Sequence, residues 1–163
     1  MDTRDTWPNC KQNLQFKTII MKDFSLIHYY YGDRFITFKT GLGSVIRAKG
    51  HSLDVTIIVI ENSLPWMENT NLFMDFDTSV VSLKDKIAAV TMLREIIVNL
   101  DNTLLLIVNF DLIIEEKVLS IKDFTDIIRR KKTTTEIILT GKIHYPQVEE
   151  LADYVSYVKS AEN

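Results

Sequence analysis

Apolar residues fall in short uninterrupted runs separated by longer stretches of mixed character. Leu26 to Tyr31 (LIHYYY) is an apolar and aromatic run of strand length. Leu53 to Glu61 (LDVTIIVIE) is β-branched through its middle, as in a strand buried on both faces, and Thr103 to Phe110 (TLLLIVNF) repeats that character. Glu136 to Thr140 (EIILT) and Tyr154 to Val158 (YVSYV) predict two shorter strands. Between them the period changes. Leu83, Ile87, Val90, Leu93, Ile97 and Leu100 recur at helical steps, predicting a helix over Ser82–Asn99. Phe35–Lys49 reads as a helix closed by Gly50, Ile121–Arg130 as another, and Val148–Ala152 as a helical turn started by Pro146. The segment 62–79 is irregular. Strands apolar on both faces, alternating with helices, predict an α/β fold around a mainly parallel sheet.

At 163 residues, with no repeat or linker, the chain reads as a single domain, residues 1–24 forming an N-terminal extension to a core at 25–160. It is 46% hydrophobic and 25% charged, globular values that exclude a disordered or fibrous chain. A net charge of −3 gives no reason to expect nucleic acid as a partner. The basic run Arg129–Lys132 falls where a helix ends, a position that favours cations. Cys10 is the one cysteine, and His28, His51 and His144 have no ligand spacing, so no metal site is expected. With no run of membrane-spanning length, a cytoplasmic protein is the expectation.

Open parallel sheets bind ligands beyond the carboxyl ends of their strands. The first such place holds GDRFITFKTGLG, Gly32 to Gly43. A phosphate loop there needs small residues, so that successive N–H groups point inward, a lysine for the terminal phosphates and a Ser/Thr hydroxyl for magnesium. Lys39-Thr40 supplies the pair in name, but Phe38 precedes it where glycine is required. A second buried strand should carry an acid for the magnesium shell. Here its tip is Val108-Asn109, with Asp111 two residues on, either a displaced metal-site acid or an ordinary loop aspartate. The last strand end leaves through Thr140-Gly141-Lys142.

That last passage, TEIILTGKIHYPQVEELADYVSYVK, resembles the C-terminal signature of the ATP:corrinoid adenosyltransferases of the CobA/CobO/BtuR type, with its strand, Thr-Gly-Arg, proline turn and Leu-Ala-Asp stretch. The stretch from Leu26 to Val59 is similar to that family's first strand, phosphate loop, helix and second strand. Gly32-Asp33 falls at the start of its Gly-Asp/Asn-Gly-Lys-Gly-Lys-Thr-Thr loop, and Gly43, Arg47, Ala48, Gly50 and His51 keep step without a gap. Phe76-Asp77-Thr78 faintly echoes its Phe-Thr-Trp region. The resemblance implies a P-loop NTPase-like (RecA-like) three-layer fold, a homodimer, and transfer of the 5′-deoxyadenosyl group of ATP to a Co(I) corrinoid.

The same register shows departures. The loop's glycines fall on Arg34 and Ile36, an intervening position on Phe35, the lysine on Thr37, and the magnesium threonine on Phe38. Sliding Lys39 into the lysine position would delete two residues and rotate the following helix by roughly 200°. The family's Asp-Glu tip falls on Val108-Asn109. The expectation is therefore a member with degenerate phosphate-loop and magnesium motifs and no catalytic residues, which binds no cofactor tightly and acts by binding a corrinoid or an active paralogue. Two alternatives stand beside it. One is a working adenosyltransferase using ATP, magnesium and a corrinoid. The other is a different activity built on Asp33, Lys39, Asn109, Asp111, Thr140 or Lys142 at the strand ends.

Overall fold

The computed structural model describes residues 25–61 and 76–161. The extension 1–24, with Cys10, and most of the irregular segment lie outside them. The strands are β1 (Ile27–Gly32), β2 (Asp54–Ile60), β3 (Asp77–Val81), β4 (Thr103–Val108), β5 (Glu136–Gly141) and β6 (Tyr154–Val158). The helices are α1 (Arg34–Gly50), α2 (Lys86–Asn99), α3 (Asp111–Glu115), α4 (Ile121–Arg129) and α5 (Pro146–Glu149). All six strands form one sheet in the order β3-β2-β4-β5-β1-β6, and every pairing is parallel.

Alternation along the strands divides the core in two. On one face Tyr29, Ile58, Ile60, Leu105, Ile107, Ile137 and Leu139 pack against α2 and α4 through Ala89, Leu93, Ile97, Phe124 and Ile128. On the other, Ile57, Val59, Leu104, Leu106, Val108 and Ile138 meet Phe38, Leu42, Val45 and Ala48 of α1. Helices thus cover both faces of a parallel sheet, the three-layer α/β arrangement. Every residue of β4 is buried, which is why that strand carries no polar alternation.

Several elements differ from the sequence expectation, among them the helical turn expected over Val148–Ala152, which is α5 at Pro146–Glu149. The helix expected from Ser82 starts at Lys86, because the Asp85 carboxylate accepts from Ile87 and Ala88 N–H and fixes the first turn there. Leu83 is buried without being helical, so its spacing extended the apparent period. Asp77–Val81, placed in the irregular segment, is strand β3 beside β2; as an edge strand opening Asp-Thr-Ser it lacks an apolar run. Gly50 belongs to α1, and His51 is the residue whose N–H closes it on Arg47 and Ala48 carbonyls. The β4 strand ends at Val108, before the expected Phe110, and α3 follows almost at once.

Candidate functional site

The carboxyl ends of β1, β4 and β5 converge where the chain leaves the middle of the sheet. Only Asp33 separates β1 from α1. Its backbone is extended, and Oδ1 accepts from Phe35 N–H at 2.9 Å and Ile36 N–H at 3.0 Å. The free N–H groups and positive dipole end of a helix attract anions. Here a side-chain carboxylate already occupies them. Gly32 precedes the cap with φ of 130°, and an added Cβ would lie 2.1 Å from Val158 O. Glycine is therefore required at that position for β1 to turn beside β6.

The following five residues diverge in direction. Arg34 reaches over the strand ends, its Nη2 lying 3.0 Å from Asp111 Oδ2 and 3.0 Å from Glu115 Oε2. Phe35 is exposed, and Lys39 sets its ammonium 3.9 Å from the centre of that ring, on the outside of α1. Ile36 is half-buried. Thr37 and Phe38 are fully buried on the sheet side, the threonine hydroxyl donating to Arg34 O at 3.1 Å. Phe38 belongs to the core beneath α1.

The β4 end is built around two buried polar residues. Val108 is core, and Asn109 takes a positive φ of 57°, a conformation asparagine tolerates better than most residues. Asn109 N–H donates to Thr140 Oγ1 at 3.4 Å and Phe110 N–H to Thr140 O at 3.1 Å, tying the β4 and β5 ends together. Asp111, three residues past the strand end and the first residue of α3, is fully buried and no ordinary loop aspartate. Its Oδ2 accepts from Arg34 and from Lys142 N–H at 2.9 Å, and Oδ1 lies against Gly141, where an added Cβ would be 3.0 Å away. Burial pushes this carboxyl above the usual carboxylate range, and the Lys142 N–H and Arg34 guanidinium offset part of that rise. The Lys142 side chain is exposed, so its main chain is what enters the site.

Tyr29 holds the outgoing turn: its hydroxyl donates to Ile143 O at 2.5 Å and accepts from Tyr145 N–H at 3.1 Å. Burial raises its phenol far above the ordinary value, and it stays neutral. The structure thus brings Asp33, Arg34, Asn109, Asp111, Thr140 and the Lys142 main chain to one place, and sets Phe35 and Lys39 apart from it. Sequence reasoning passed over Glu115 and Tyr29. Glu115 lies four residues after Asp111 on one helix face, a spacing that could have flagged a second carboxylate for Arg34. Among the described residues no group of three His, Cys, Asp or Glu is placed to hold a metal ion, and no helix is long and apolar enough to cross a membrane.

Residues 60–162 match the family described as ATP:corrinoid adenosyltransferase BtuR/CobO/CobP. The matched part runs from the end of β2 through β6 and includes Asn109, Asp111 and the Thr140–Lys142 turn. No curated protein matches the chain at a significant level. The match covers more than half of the sequence, and the chain belongs to this adenosyltransferase family.

Proposed function

We propose that this adenosyltransferase-family chain acts by binding, to a corrinoid or to a protein such as an active paralogue, and does not consume ATP. Its phosphate-loop and Asp-Glu motifs are read as degenerate. The observation that carries this reading is the closed start of α1, with Asp33 on the helix N–H groups and Arg34 on Asp111. A cradle for a triphosphate needs an arc of inward N–H groups, and a single-residue connection offers none. A phosphate approaching Phe35 and Ile36 N–H would have to displace a carboxylate of its own sign. A magnesium ion on Asp111 Oδ2 would have to displace the Arg34 guanidinium. These residues do not fit a magnesium–triphosphate group. Charge-assisted hydrogen bonds contribute about 1.5–3 kcal/mol each, so several lost together amount to many decades in affinity. The sparse cysteine usage suits a reducing compartment, and we place the protein in the cytoplasm.

Calorimetric titration with ATP and magnesium tests the first half, beside an active family member as control. No measurable heat is the expected result; tight, magnesium-dependent binding overturns the reading. Thermal shifts with cobalamin and cobinamide test the second half. A ligand held at a hundredfold excess over Kd adds about 2.7 kcal/mol of apparent stability. If neither corrinoid shifts the melt and no active paralogue is retained by the protein, the binding role fails.

The second reading is a working adenosyltransferase, favoured by one observation: Asp111 places a buried carboxylate just past the β4 end, near the acid position of the family. Formation of adenosylcorrinoid from ATP under strong reductant would decide for it.

A further inference from the structure

Strand β3 closes one side of the sheet, with β2 as its sole neighbour among the described residues. One bond sets the direction of its main chain: Glu61 N–H donates to Val81 O at 2.8 Å, and the register pairs Val81 with Ile60. Alternation then turns Asp77, Ser79 and Val81 toward β2 and leaves the N–H and C=O of Thr78 and Val80 facing outward. Among the described residues no hydrogen bond reaches those outward groups. Open edges are usually protected by a charge, a proline or a bulge. Here Asp77 stands at the amino end, while Thr78, Ser79, Val80 and Val81 carry neither charge nor proline, and Val80 is 53% exposed.

A cleft of about 290 Å³ lies beside this edge, where β3 meets α2. Buried Val81 and Ala89 and half-buried Met92 line its depth, and the exposed Val80 and Ala88 its sides. Alanine at both 88 and 89 leaves room that longer side chains would fill. Small-molecule sites run from about 300 to 1,000 Å³, so this volume suits one or two aliphatic side chains better than a whole ligand. Lys84 and Asp85 stand at its mouth. The Asp85 carboxylate is engaged by Ile87 and Ala88 N–H, and Lys86 next to it is held by Glu116 O. Lys84 is exposed, and its ammonium has no partner among the described residues. The uncompensated charge at the mouth is therefore positive. An open strand edge beside an apolar cleft and a helix suits an extended peptide, whose main chain supplies affinity and whose alternate side chains supply specificity.

We propose that this edge takes up an extended segment of a partner protein, which adds a strand to β3 along Thr78 and Val80. Every second side chain of the segment then points to the α2 face, and an aliphatic one fills the cleft over Val81 and Ala89. An acidic group close to it meets Lys84. The surface is separate from the Arg34–Asp111 site, and the inference does not rest on any corrinoid or nucleotide role.

The test screens the full chain against a displayed library of short random peptides, with the Ala88→Glu protein as counter-selection. Ala88 is exposed on α2 and glutamate is a good helix former, so this variant keeps the fold and closes the cleft. Selected peptides are expected to share one aliphatic position with an acidic residue close by. The tightest of them, followed by fluorescence anisotropy, should bind about tenfold or more weakly to Ala88→Glu and to Val80→Pro. The proline removes an outward N–H and leaves the β2 ladder intact. Lys84→Glu should weaken binding several-fold, by less in high salt, and Lys122→Glu on α4 should leave it unchanged. Saturating peptide should slow hydrogen exchange at the Thr78 and Val80 amides about tenfold or more. Melting curves confirm that the variants are folded. A library that yields no peptide, as expected if residues 1–24, the segment 62–75 or a second copy already fills the cleft, overturns the proposal. So do peptides that bind Ala88→Glu and Val80→Pro as tightly as the unmodified protein, or that leave the two amides unprotected.

Discussion

Two helices in this molecule begin alike. Asp33 accepts from the N–H groups of Phe35 and Ile36, and Asp85 does the same for Ile87 and Ala88. Each cap is followed by a cation, Arg34 or Lys86. The difference lies in where the cation goes. Lys86 crosses the surface to Glu116 O at 2.9 Å, an exposed contact, whereas Arg34 turns inward onto Asp111, which is fully buried. The start of α1, the place that resembles a phosphate loop, is thus built as an ordinary capped helix. What distinguishes it from α2 is an ion pair bolted across the strand ends.

The largest effect should come from cutting that bolt. Arg34→Ala leaves Asp111 buried with main-chain N–H donors from Lys142 and Ile143 and no cation. Orphaning a buried charge costs about 3–5 kcal/mol, and the partial exposure of Arg34 argues for the low end, about 3 kcal/mol at neutral pH. Lys86→Ala, a surface change, should cost about 0.5 kcal/mol or less. The pH dependence separates the two further. Burial raises the Asp111 carboxyl in the folded protein, so this group binds a proton more readily folded than unfolded. Its contribution is therefore most favourable below the ordinary carboxylate value and is lost as pH rises through the raised one. Without Arg34 the rise is larger. The cost of Arg34→Ala should thus shrink toward acid pH, where Asp111 is neutral, and that of Lys86→Ala should stay flat. Denaturant unfolding at several pH values measures both. Equal costs for the two variants would erase the contrast between the helices.

The caps themselves should give smaller and matching effects. Asp33→Ala and Asp85→Ala each leave two helix N–H groups without their acceptor and should cost about 1 kcal/mol. With Arg34 still on Asp111, Asp33→Ala should gain no magnesium-dependent affinity for ATP. A cost-free Asp33→Ala that binds ATP would show the cap to be a gate over a working loop, and the likeness between the two helices would be superficial.

The fold was largely legible because its central strands are buried on both faces. Runs such as LDVTIIVIE and TLLLIVNF fit a central parallel strand and little else, and the exposed YVSYV of β6 reads as strand from its aromatic and β-branched residues. Legibility failed where burial did not write the pattern. Among the described residues strand β3 has one neighbour, β2, and its first four residues are exposed or half-buried, so Asp77-Thr78-Ser79 carries no apolar run. At the site, the glycine and lysine positions of the β1–α1 stretch could be compared with a loop motif residue by residue. The direction each side chain takes could not. Arg34 and Phe35 are adjacent in sequence, yet one spans the strand ends and the other lies on the outer surface under Lys39. Nor does any local signal say that Asp111 is buried, because its surroundings come from β5 and α1, some 30 and 77 positions away.

Gly43 gives the smallest effect and the finest distinction. In register it falls on a glycine of the family pattern, which suggests a position where no side chain fits. The structure shows otherwise: Gly43 is exposed within α1, and an added Cβ would meet none of the described residues within 4 Å. Two residues earlier, Gly41 is different, since a Cβ there would come 2.8 Å from Leu106 Cδ1 and 3.1 Å from Thr140 Cγ2. That close approach seats α1 on β4 and β5, whereas α2, with no glycine, packs through Ala89 and Leu93. A glycine inside a helix costs roughly 0.5–1 kcal/mol relative to alanine. Gly43→Ala should therefore raise the denaturation midpoint by a stability of about that size, and Gly41→Ala should lower it. If Gly43→Ala is instead destabilising, something outside the described residues packs against that face of α1, and the helix would no longer stand as an ordinary capped element.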